Sequence, residues 1–178
     1  MIRPRRDEDL HGCVRLLRRV HENEGYPANW PTDPERWLSS GDSIGAWVVA
    51  DDDQLVLGHI MLVTIDPYRA WLEWVKALGL PAERLAVVSR LFVDPDVRRR
   101  GLGRQLIRRV EQEADNRGLH PVLDVAVQNH AAIALYKDHG WLQVGNAVLP
   151  PGDAGHALHL RLLVAPGRST TPAGPPST

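Results

Sequence analysis

Two glycines one residue apart, with four arginines around them, are the residues of this 178-residue chain whose types and spacing point most directly to chemistry. They lie in the stretch RRRGLGRQ at residues 98–105, between a strand-like run and a helix-like run. The first amides of a helix have no partner within the helix, and the helix dipole favours negative charge there. Gly101 and Gly103 leave these amides accessible, and guanidinium groups suit phosphate oxygens. We therefore expect a phosphate, more specifically a pyrophosphate, to bind at this turn.

Two common phosphate-binding motifs fit this turn poorly. A P-loop requires Gly-Lys-Ser/Thr, whereas Gly103 is followed by Arg104 and Gln105. A dinucleotide fingerprint requires a third small residue at the position that Leu106 occupies, and it usually opens the first βαβ unit of a chain. The sequence therefore disfavours both metal-assisted nucleotide hydrolysis and dinucleotide binding.

The first half of the chain predicts a strand, two helices and a hairpin with a helical insert. MIRPR is strand-like, a helix begins after Asp7 or Asp9 and ends near Gly25, and DPERWLSS is a short helix with Pro at its first position. SIGAWVVADD and QLVLGHIMLVTI form a hairpin around the acidic turn. DPYRAWLEWVKALGL is an inserted helix. Its predicted apolar face consists of Tyr68, Trp71, Leu72, Val75 and Leu78.

The second half of the chain predicts the strand and helix that hold the glycine turn. RLAVVSRLFVD is apolar almost throughout, which is typical of a central strand covered on both faces. A helix from about Leu102 to Asn116, closed by Arg117 and Gly118, follows the turn, and then come a strand, a short helix and two last strands. We predict one mixed α/β domain over residues 1–165 and a disordered tail, rich in Pro, Ser and Thr, over residues 166–178.

Composition limits the classes of partner. The net charge of −1 provides no global field for nucleic acid or anionic membrane, and acidic residues follow the arginines at once in the next helix. The single cysteine, Cys13, fits a reducing compartment. No apolar run is long enough to span a bilayer, and the N-terminus turns acidic before a signal-type region, so we expect a cytoplasmic protein. His156 and His159 would point to opposite faces of a strand, so we expect no metal site.

Two blocks of the sequence carry a family resemblance. LFVDPDVRRRGLGRQLI resembles the acyl-CoA-binding signature of the GNAT superfamily of N-acyltransferases, and NHAAIALYKDHGW is similar to that family's downstream signature. The matching residues are Arg98, Gly101, Gly103, Asn129, Ala132, Leu135, Tyr136, Gly140 and Trp141. The two blocks stand in the family's order, separated by one helix and one strand, and the resemblance covers roughly residues 2–164. It implies a GNAT-like domain with a mixed, mostly antiparallel twisted sheet, splayed central strands and flanking helices.

The resemblance implies an acetyl-CoA site at this turn and strand. It places the pyrophosphate of coenzyme A on the turn and the pantetheine arm along the backbone of the central strand. The residues so implied are Leu91, Phe92, Val93, Arg98, Arg99, Arg100, Gly101, Leu102, Gly103, Arg104 and Gln105. Asn129 would bond the arm, and Tyr136 would donate a proton to the departing thiolate. From the residues alone, Asn129 is equally a helix N-cap, Tyr136 a core residue, and Arg99 and Arg100 solvated side chains.

The acceptor side and the general base stay open. Many relatives carry a glutamate base on the central strand where this chain has Val87. Alternative proton acceptors are Ser89, Glu83, Asp124 and His59. In this fold the first two helices and the hairpin choose the acceptor. The loop after the first helix offers Tyr26 and Trp30, and the helical insert offers Trp71 and Trp74. These aromatic residues suit a cationic or aromatic amine, and equally a hydrophobic staple and an edge-covering helix.

The sequence thus predicts an N-acetyltransferase that moves an acetyl group from acetyl-CoA to a primary amine by direct attack in a ternary complex. We expect no metal, no nucleic acid and no membrane as partners. The acceptor is a small molecule or a protein, and the chain is a monomer or a homodimer. Two alternatives keep the fold: an acceptor that is a protein N-terminus or lysine, and a non-catalytic domain that binds acyl-CoA.

Overall fold

The computed structural model of the chain describes residues 1–65, 71–150 and 157–167. Its strands are β1 (Ile2–Pro4), β2 (Ser43–Ala50), β3 (Val56–Thr64), β4 (Leu85–Val93), β5 (His120–Ala126), β6 (Leu142–Leu149) and β7 (Leu158–Val164). Its α-helices are α1 (Leu10–Glu24), α2 (Pro34–Leu38), α3 (Leu72–Leu78), α4 (Leu102–Asn116) and α5 (His130–Asp138). The predictions for Tyr68, for His156 and for the tail beyond residue 167 fall outside the described residues.

One seven-stranded sheet runs through the molecule in the order β1-β2-β3-β4-β5-β7-β6. All neighbouring pairs are antiparallel except β4 and β5, which are parallel. These two strands pair only from Leu85 opposite His120 to Val87 opposite Val122, although β4 continues to Val93. The mixed, mostly antiparallel sheet with splayed central strands is therefore confirmed, and the splay leaves an opening between β4 and β5.

A bulge bends β4 where the splay begins. The register between β3 and β4 shifts between His59 and Met61, and Arg90 on the bulged strand has a φ of 54°, in the left-handed region. The Nδ1 atom of His59 donates to the carbonyl oxygen of Arg90 at 2.9 Å. The bulge thus re-aims the last residues of β4 at the edge of the opening.

The helices cover the two faces of the sheet unequally. On one face, α4 and α5 pack on a continuous core that includes Leu106, Val110 and Ile133. On the other face, α1 and α2 pack near the ends of β2, β3 and β4, while α3 packs on β6 and β7. These helices pack on two separate clusters, so the part of this second face between α1 and α3, over β4 and β5, is not covered by a described helix, and it is called the groove below.

Local signals explain most helix ends, with two corrections. Gly25, at a φ of 69°, ends α1 as expected. Asp9 precedes α1, but its carboxylate accepts from the Arg3 guanidinium at 2.6 and 2.8 Å and from the Arg6 amide, and it makes no bond to the helix. In the insert, α3 begins at Leu72, whose side chain is 56% exposed, whereas Trp74 is 1% exposed. The prediction that Leu72 faces the core is therefore wrong, because the buried face of α3 follows Trp71, Trp74, Val75 and Leu78 at helical spacing and Leu72 lies off that face.

Candidate active site

The glycine turn presents free helix amides to a cleft. Gly101, at a φ of 77°, precedes α4, and no side chain caps the helix. The amide of Gln105 is the first to bond back, to the carbonyl of Gly101 at 3.0 Å, so the amides of residues 102–104 have no partner within the helix. Their direction and the helix dipole suit an anion.

Gly103 also has a packing role. A Cβ atom at this position would lie 2.9 Å from Cδ2 of Leu135 on α5. Gly103 therefore allows α4 and α5 to approach each other, beside the access to the amides that we expect it to give a ligand.

Acidic side chains already pair with two of the turn's arginines. Arg98 forms an ion pair with Glu24 at the end of α1, and Arg104 forms a looser one with Asp138 of α5 at 3.5 Å. Arg99 and Arg100 are exposed and form no ion pair with the described residues. The glycine turn is thus only partly neutralised, and Glu24 bridges α1 to the turn.

A buried ion pair fixes the turn to α1. Asp94, 4% exposed, accepts from the guanidinium of Arg19 at 2.6 Å and from the amide of Asp96 at 3.0 Å. A second nitrogen of Arg19 donates to the Asp96 carboxylate at 2.6 Å. The sequence reasoning missed this clamp because Arg19 lies 75 residues before Asp94.

A cleft of about 540 Å³ extends from the turn along the end of β4. It is lined by most of the residues that the sequence assigned to acetyl-CoA. These are Leu91, Phe92, Val93, Arg98, Arg99, Gly101, Leu102, Gly103, Arg104 and Asn129. Arg100, Gln105 and Tyr136 do not line it. The structure therefore brings the turn, the free end of β4 and the start of α5 together around one cavity.

Asn129 is the N-cap of α5. Its side-chain oxygen accepts from the Ala132 amide at 3.2 Å. Because this bond uses only the oxygen, the side-chain NH₂ group of Asn129 stays available at the wall of the cleft.

Tyr136 is buried behind the cleft. It is 5% exposed, and its ring lies 5.4 Å from that of Trp141. Burial raises the pKa of the phenol, and the charges of Tyr26 and Asp124 raise it further. The hydroxyl group is therefore protonated at neutral pH and lies within electrostatic reach of these two residues.

Asp124 supplies a carboxylate to the groove between α1 and α3. Val87 and Val122 are the last pair of β4 and β5 and share a face, so Asp124, two residues further on, projects from the same face. The indole N–H of Trp71 points to its carboxylate at 3.4 Å. The residue is exposed, but the protein atoms around its carboxylate raise its pKa. The hydrogen bond from Trp71 lowers this pKa by a smaller amount, so the net shift is upward.

The other candidate bases are less suited to proton transfer. His59 is fully buried, its two ring nitrogens contact the Arg90 carbonyl and the Arg5 guanidinium, and burial lowers its pKa to about 3. Glu83 is exposed in the turn before β4. Ser89 projects from β4 beside Asp124 but has no ordinary basicity of its own.

The four aromatic residues assigned to the acceptor separate in the structure. Tyr26 lines the cleft. Trp71 bonds to Asp124, as described above, whereas Trp74 is packed inside the core between α3 and the sheet and has no face toward an acceptor. Trp30 lies against α1, 5.3 Å from the ring of His21 and 5.0 Å from the guanidinium of Arg18.

The described residues hold neither a candidate metal-binding cluster nor a membrane-spanning helix. Residues 1–65, 71–150 and 157–167 contain no group of three or more His, Cys, Asp or Glu side chains arranged to hold a metal ion. In the same part of the chain, every helix is too short or too polar to cross a bilayer.

Comparison with known families identifies this arrangement. The profile of the acetyltransferase (GNAT) family matches residues 10–141, which include the glycine turn, β4, β5 and α5. The chain belongs to this family. It is therefore an acyltransferase enzyme, and acetyl-CoA is its co-substrate.

Curated relatives match over short segments. The [ribosomal protein bS18]-alanine N-acetyltransferase of Salmonella typhimurium is 44% identical over 57 residues, which is 32% of this chain and 38% of that protein. An uncharacterized N-acetyltransferase of Methanocaldococcus jannaschii is 38% identical over 70 residues, which is 39% of this chain and 30% of that protein. The chain thus matches little more than a third of the length of these relatives.

Solved structures match over nearly the whole chain. Arabidopsis thaliana NAA60 in complex with a bisubstrate analogue has a TM-score of 0.71 at 20% identity and covers 92% of this chain and 95% of its own. The ribosomal-protein-S18-alanine N-acetyltransferase of Escherichia coli has a TM-score of 0.65 at 20% identity, with 93% and 92% covered. At these identities the likeness shows the fold.

Proposed function

We propose that the protein transfers the acetyl group of acetyl-CoA to a primary amine by direct attack in a ternary complex. The observation that carries this proposal is the cavity that extends from the free amides of α4 along the unpaired end of β4, with Tyr136 buried behind it and within electrostatic range of Asp124. Family membership identifies the acetyl donor. The charged and aromatic side chains at the groove indicate the kind of acceptor.

The residues present fit acetyl-CoA as co-substrate. The amides of residues 102–104, with Arg99 and Arg100, would hold the pyrophosphate. The backbone of residues 91–93, freed by the splay of β4 and β5, would pair with the amide groups of the pantetheine arm. The co-substrate supplies a thioester carbonyl that an amine can attack.

Asp124 is our candidate for the group that accepts the proton of the acceptor ammonium. Lowering a pKa near 10.4 to neutrality costs about 4 to 5 kcal/mol, so a nearby base is needed. A carboxylate with a raised pKa is a stronger base than an ordinary one, and among the candidates only Asp124 combines this with a place in the groove. The neutral nitrogen then forms its bond to the carbonyl carbon, and the carbon–sulfur bond breaks. The thiolate takes a hydrogen bond or a proton from Tyr136, and the second proton of the nitrogen passes to solvent or, where Tyr136 has given up its own, to the phenolate.

A covalent acyl-enzyme is disfavoured by the only cysteine. Cys13 is fully buried in the cluster under α1, and burial raises its pKa to about 12. A buried thiol of this kind is not a nucleophile.

A protein acceptor is the second candidate, because one relative that matches a segment of the chain is named for acetylating an alanine of ribosomal protein bS18. The oligomeric state, monomer or homodimer, stays a prediction.

Thiol release from acetyl-CoA over a panel of primary amines and short peptides tests the proposed function. We expect turnover with at least one acceptor, and a loss of about 100-fold or more in kcat/KM for Asp124→Asn. Asp52→Asn, at an exposed position in the β2–β3 turn, is the matched control and should keep wild-type turnover. Binding of acetyl-CoA without turnover of any amine would favour the non-catalytic alternative.

A further inference from the structure

Arg90 is a half-buried guanidinium for which the described residues provide no carboxylate partner. Its Nη1 atom donates to Oγ of Ser40 at 2.9 Å and contacts the sulfur of Met61 at 3.1 Å. Its Nε atom is buried and has no hydrogen-bond partner, and its planar group lies 4.8 Å from the ring of Trp37. Within the described residues no ion pair includes Arg90.

Such a group is costly unless a ligand uses it. Burial lowers the pKa of Arg90, which means that its surroundings disfavour the positive charge, and Asp42 offsets this only at a longer range than an ion pair. A neutral hydrogen-bond donor in place of Arg90 would also bond to Ser40 and connect α2 to the bulge, and it would not bury a charge. The described residues therefore offer this cation the face of the Trp37 ring but no carboxylate that balances its charge.

The position of Arg90 connects it with the acceptor groove. It lies at the bulge of β4, directly before residues 91–93 that line the cleft. Tyr26 lines the same cleft, and the charges of both Arg90 and Asp124 act on its phenol. Burial is the main cause of the raised pKa of Tyr26, while Arg90 lowers this pKa and Asp124 raises it. A cation and a carboxylate thus both lie within electrostatic range of the Tyr26 hydroxyl, and Tyr26 packs in the same cluster as Trp37, over which Arg90 lies.

We propose that the acceptor is a zwitterion, a small molecule such as a free amino acid, whose carboxylate binds Arg90 while its amine lies between Asp124 and Tyr136. The inference rests on the proposed function and narrows its acceptor. The Nε and Nη2 atoms form the edge of the guanidinium that binds a carboxylate through two parallel hydrogen bonds, and neither has a partner in the described part of the chain. Of these two atoms only Nε is shielded from water, so Nη2 is the donor that is open to a carboxylate.

A protein N-terminus lacks this second charge. The group that follows its amine is a neutral amide, which cannot neutralise Arg90. The structure therefore distinguishes a free acid from its carboxamide, which has the same shape and the same acceptor amine but no negative charge.

The experiment compares amino acids with their carboxamides as acceptors of the full-length chain. The panel includes apolar, aromatic and basic side chains, and acids in which more carbons separate the amine from the carboxylate. With the best acceptor, we expect kcat/KM for the acid to exceed that for its carboxamide by about 10- to 100-fold, since one charged hydrogen-bonded contact is lost. The amine of a carboxamide is less basic, so a larger fraction of it is unprotonated at neutral pH. Intrinsic reactivity alone would therefore favour the carboxamide over the acid.

Variants then assign the preference to Arg90. In Arg90→Met the ratio of the two kcat/KM values should fall to about 1, and in Arg90→Lys it should be intermediate, because the charge remains without the fork. Arg108→Met, at an exposed residue of α4, is the matched control and should keep the wild-type ratio. Thermal melts and acetyl-CoA titrations check that each variant is folded, and the wild-type ratio alone tests the inference if Arg90→Met does not fold.

Two results overturn the inference alone: carboxamides or peptides acetylated as well as free acids by the wild type, or an unchanged ratio in Arg90→Met. Failure of the wild type to bind acetyl-CoA or to acetylate any acceptor would overturn the proposed function, and the inference with it.

Discussion

Replacing Tyr136 with phenylalanine removes a single hydroxyl group from the site. The ring keeps its packing against Trp141, and the hydroxyl makes no hydrogen bond with the described residues. Because no contact of the ring and no protein hydrogen bond is lost, we expect the free energy of unfolding to change by less than about 1 kcal/mol. The affinity for acetyl-CoA should also be retained, since the hydroxyl is proposed to act on the departing sulfur.

The expected rate effect follows from the surroundings of the phenol. Loss of a positioned acid costs about 10² to 10⁴ in rate, which corresponds to about 2.7 to 5.5 kcal/mol. Burial, Tyr26 and Asp124 all raise the pKa of Tyr136, so the phenol is a weaker acid than usual and acts mainly as a hydrogen-bond donor. We therefore expect the lower end of the range, a decrease of about 100-fold in kcat.

Steady-state kinetics with thiol detection measures this effect at saturating acceptor and acetyl-CoA. An interaction made only in the transition state lowers kcat and kcat/KM alike, and thermal melts report folding in parallel. A kcat within about twofold of the wild type would refute the role of Tyr136 as proton donor and leave it as a core residue. A large drop in melting temperature would show that the hydroxyl has a structural partner.

Three other perturbations follow from the geometry. Glu24→Gln frees its arginine partner and should raise the affinity for coenzyme A by up to about fivefold, because both side chains of this pair are partly exposed and such pairs contribute at most about 1 kcal/mol. The activity should be lost on the acid side at a higher pH than an ordinary aspartate would give, because the pKa of Asp124 is raised and activity needs its charged form. In Trp71→Phe this loss of kcat/KM should move to still higher pH, because the variant removes a hydrogen bond that lowers the pKa of Asp124. Gly103→Ala should destabilise the fold by about 1 to 3 kcal/mol through contact with Leu135, and Leu135→Ala should reduce this cost in the double variant.

Each of these expectations has its own control. Isothermal titration of Glu22→Gln, two residues earlier on α1 at an exposed position, should show wild-type affinity. An unchanged affinity in Glu24→Gln would mean that Glu24 does not compete with phosphate. A pH profile of Asp124→Asn should lack the acid limb, so a limb that persists there belongs to another group. For Gly103, denaturant unfolding of the wild type, Gly103→Ala, Leu135→Ala and the double variant measures the coupling between the two positions. Additive changes in the free energy of unfolding would show that the destabilisation does not come from contact with Leu135.

The elements that hold the site could be read from local sequence. The bounds of α4, Leu102 to Asn116, match the prediction at both ends, because Gly101 supplies a left-handed turn before the helix and Gly118 follows its end. The same holds for α2, where Asp33 caps the helix and proline occupies its first position. These signals are sequence-local: each depends on the backbone conformations available to one or two residues.

The family resemblance, given by two short motifs, was confirmed for the same reason. The motif residues set the backbone geometry of the turn and cap α5. Both roles depend on neighbours that are close in sequence, so a motif of fixed spacing can identify them. The acetyl-CoA assignments of individual residues stay predictions, although most of those residues line one cleft.

The partners of the chemical groups were decided by tertiary structure. No spacing in the sequence indicates that Glu24 pairs with Arg98, or that Trp71 bonds to Asp124 across 53 residues. The isolation of Arg90 is likewise invisible in the run LAVVSRLFV, where it and Ser89 are the two polar residues among apolar ones. Whether a charge is paired, buried or open to a ligand depends on which strands diverge and which helices cover them. Those contacts join distant parts of the chain, so local conformational preferences cannot specify them.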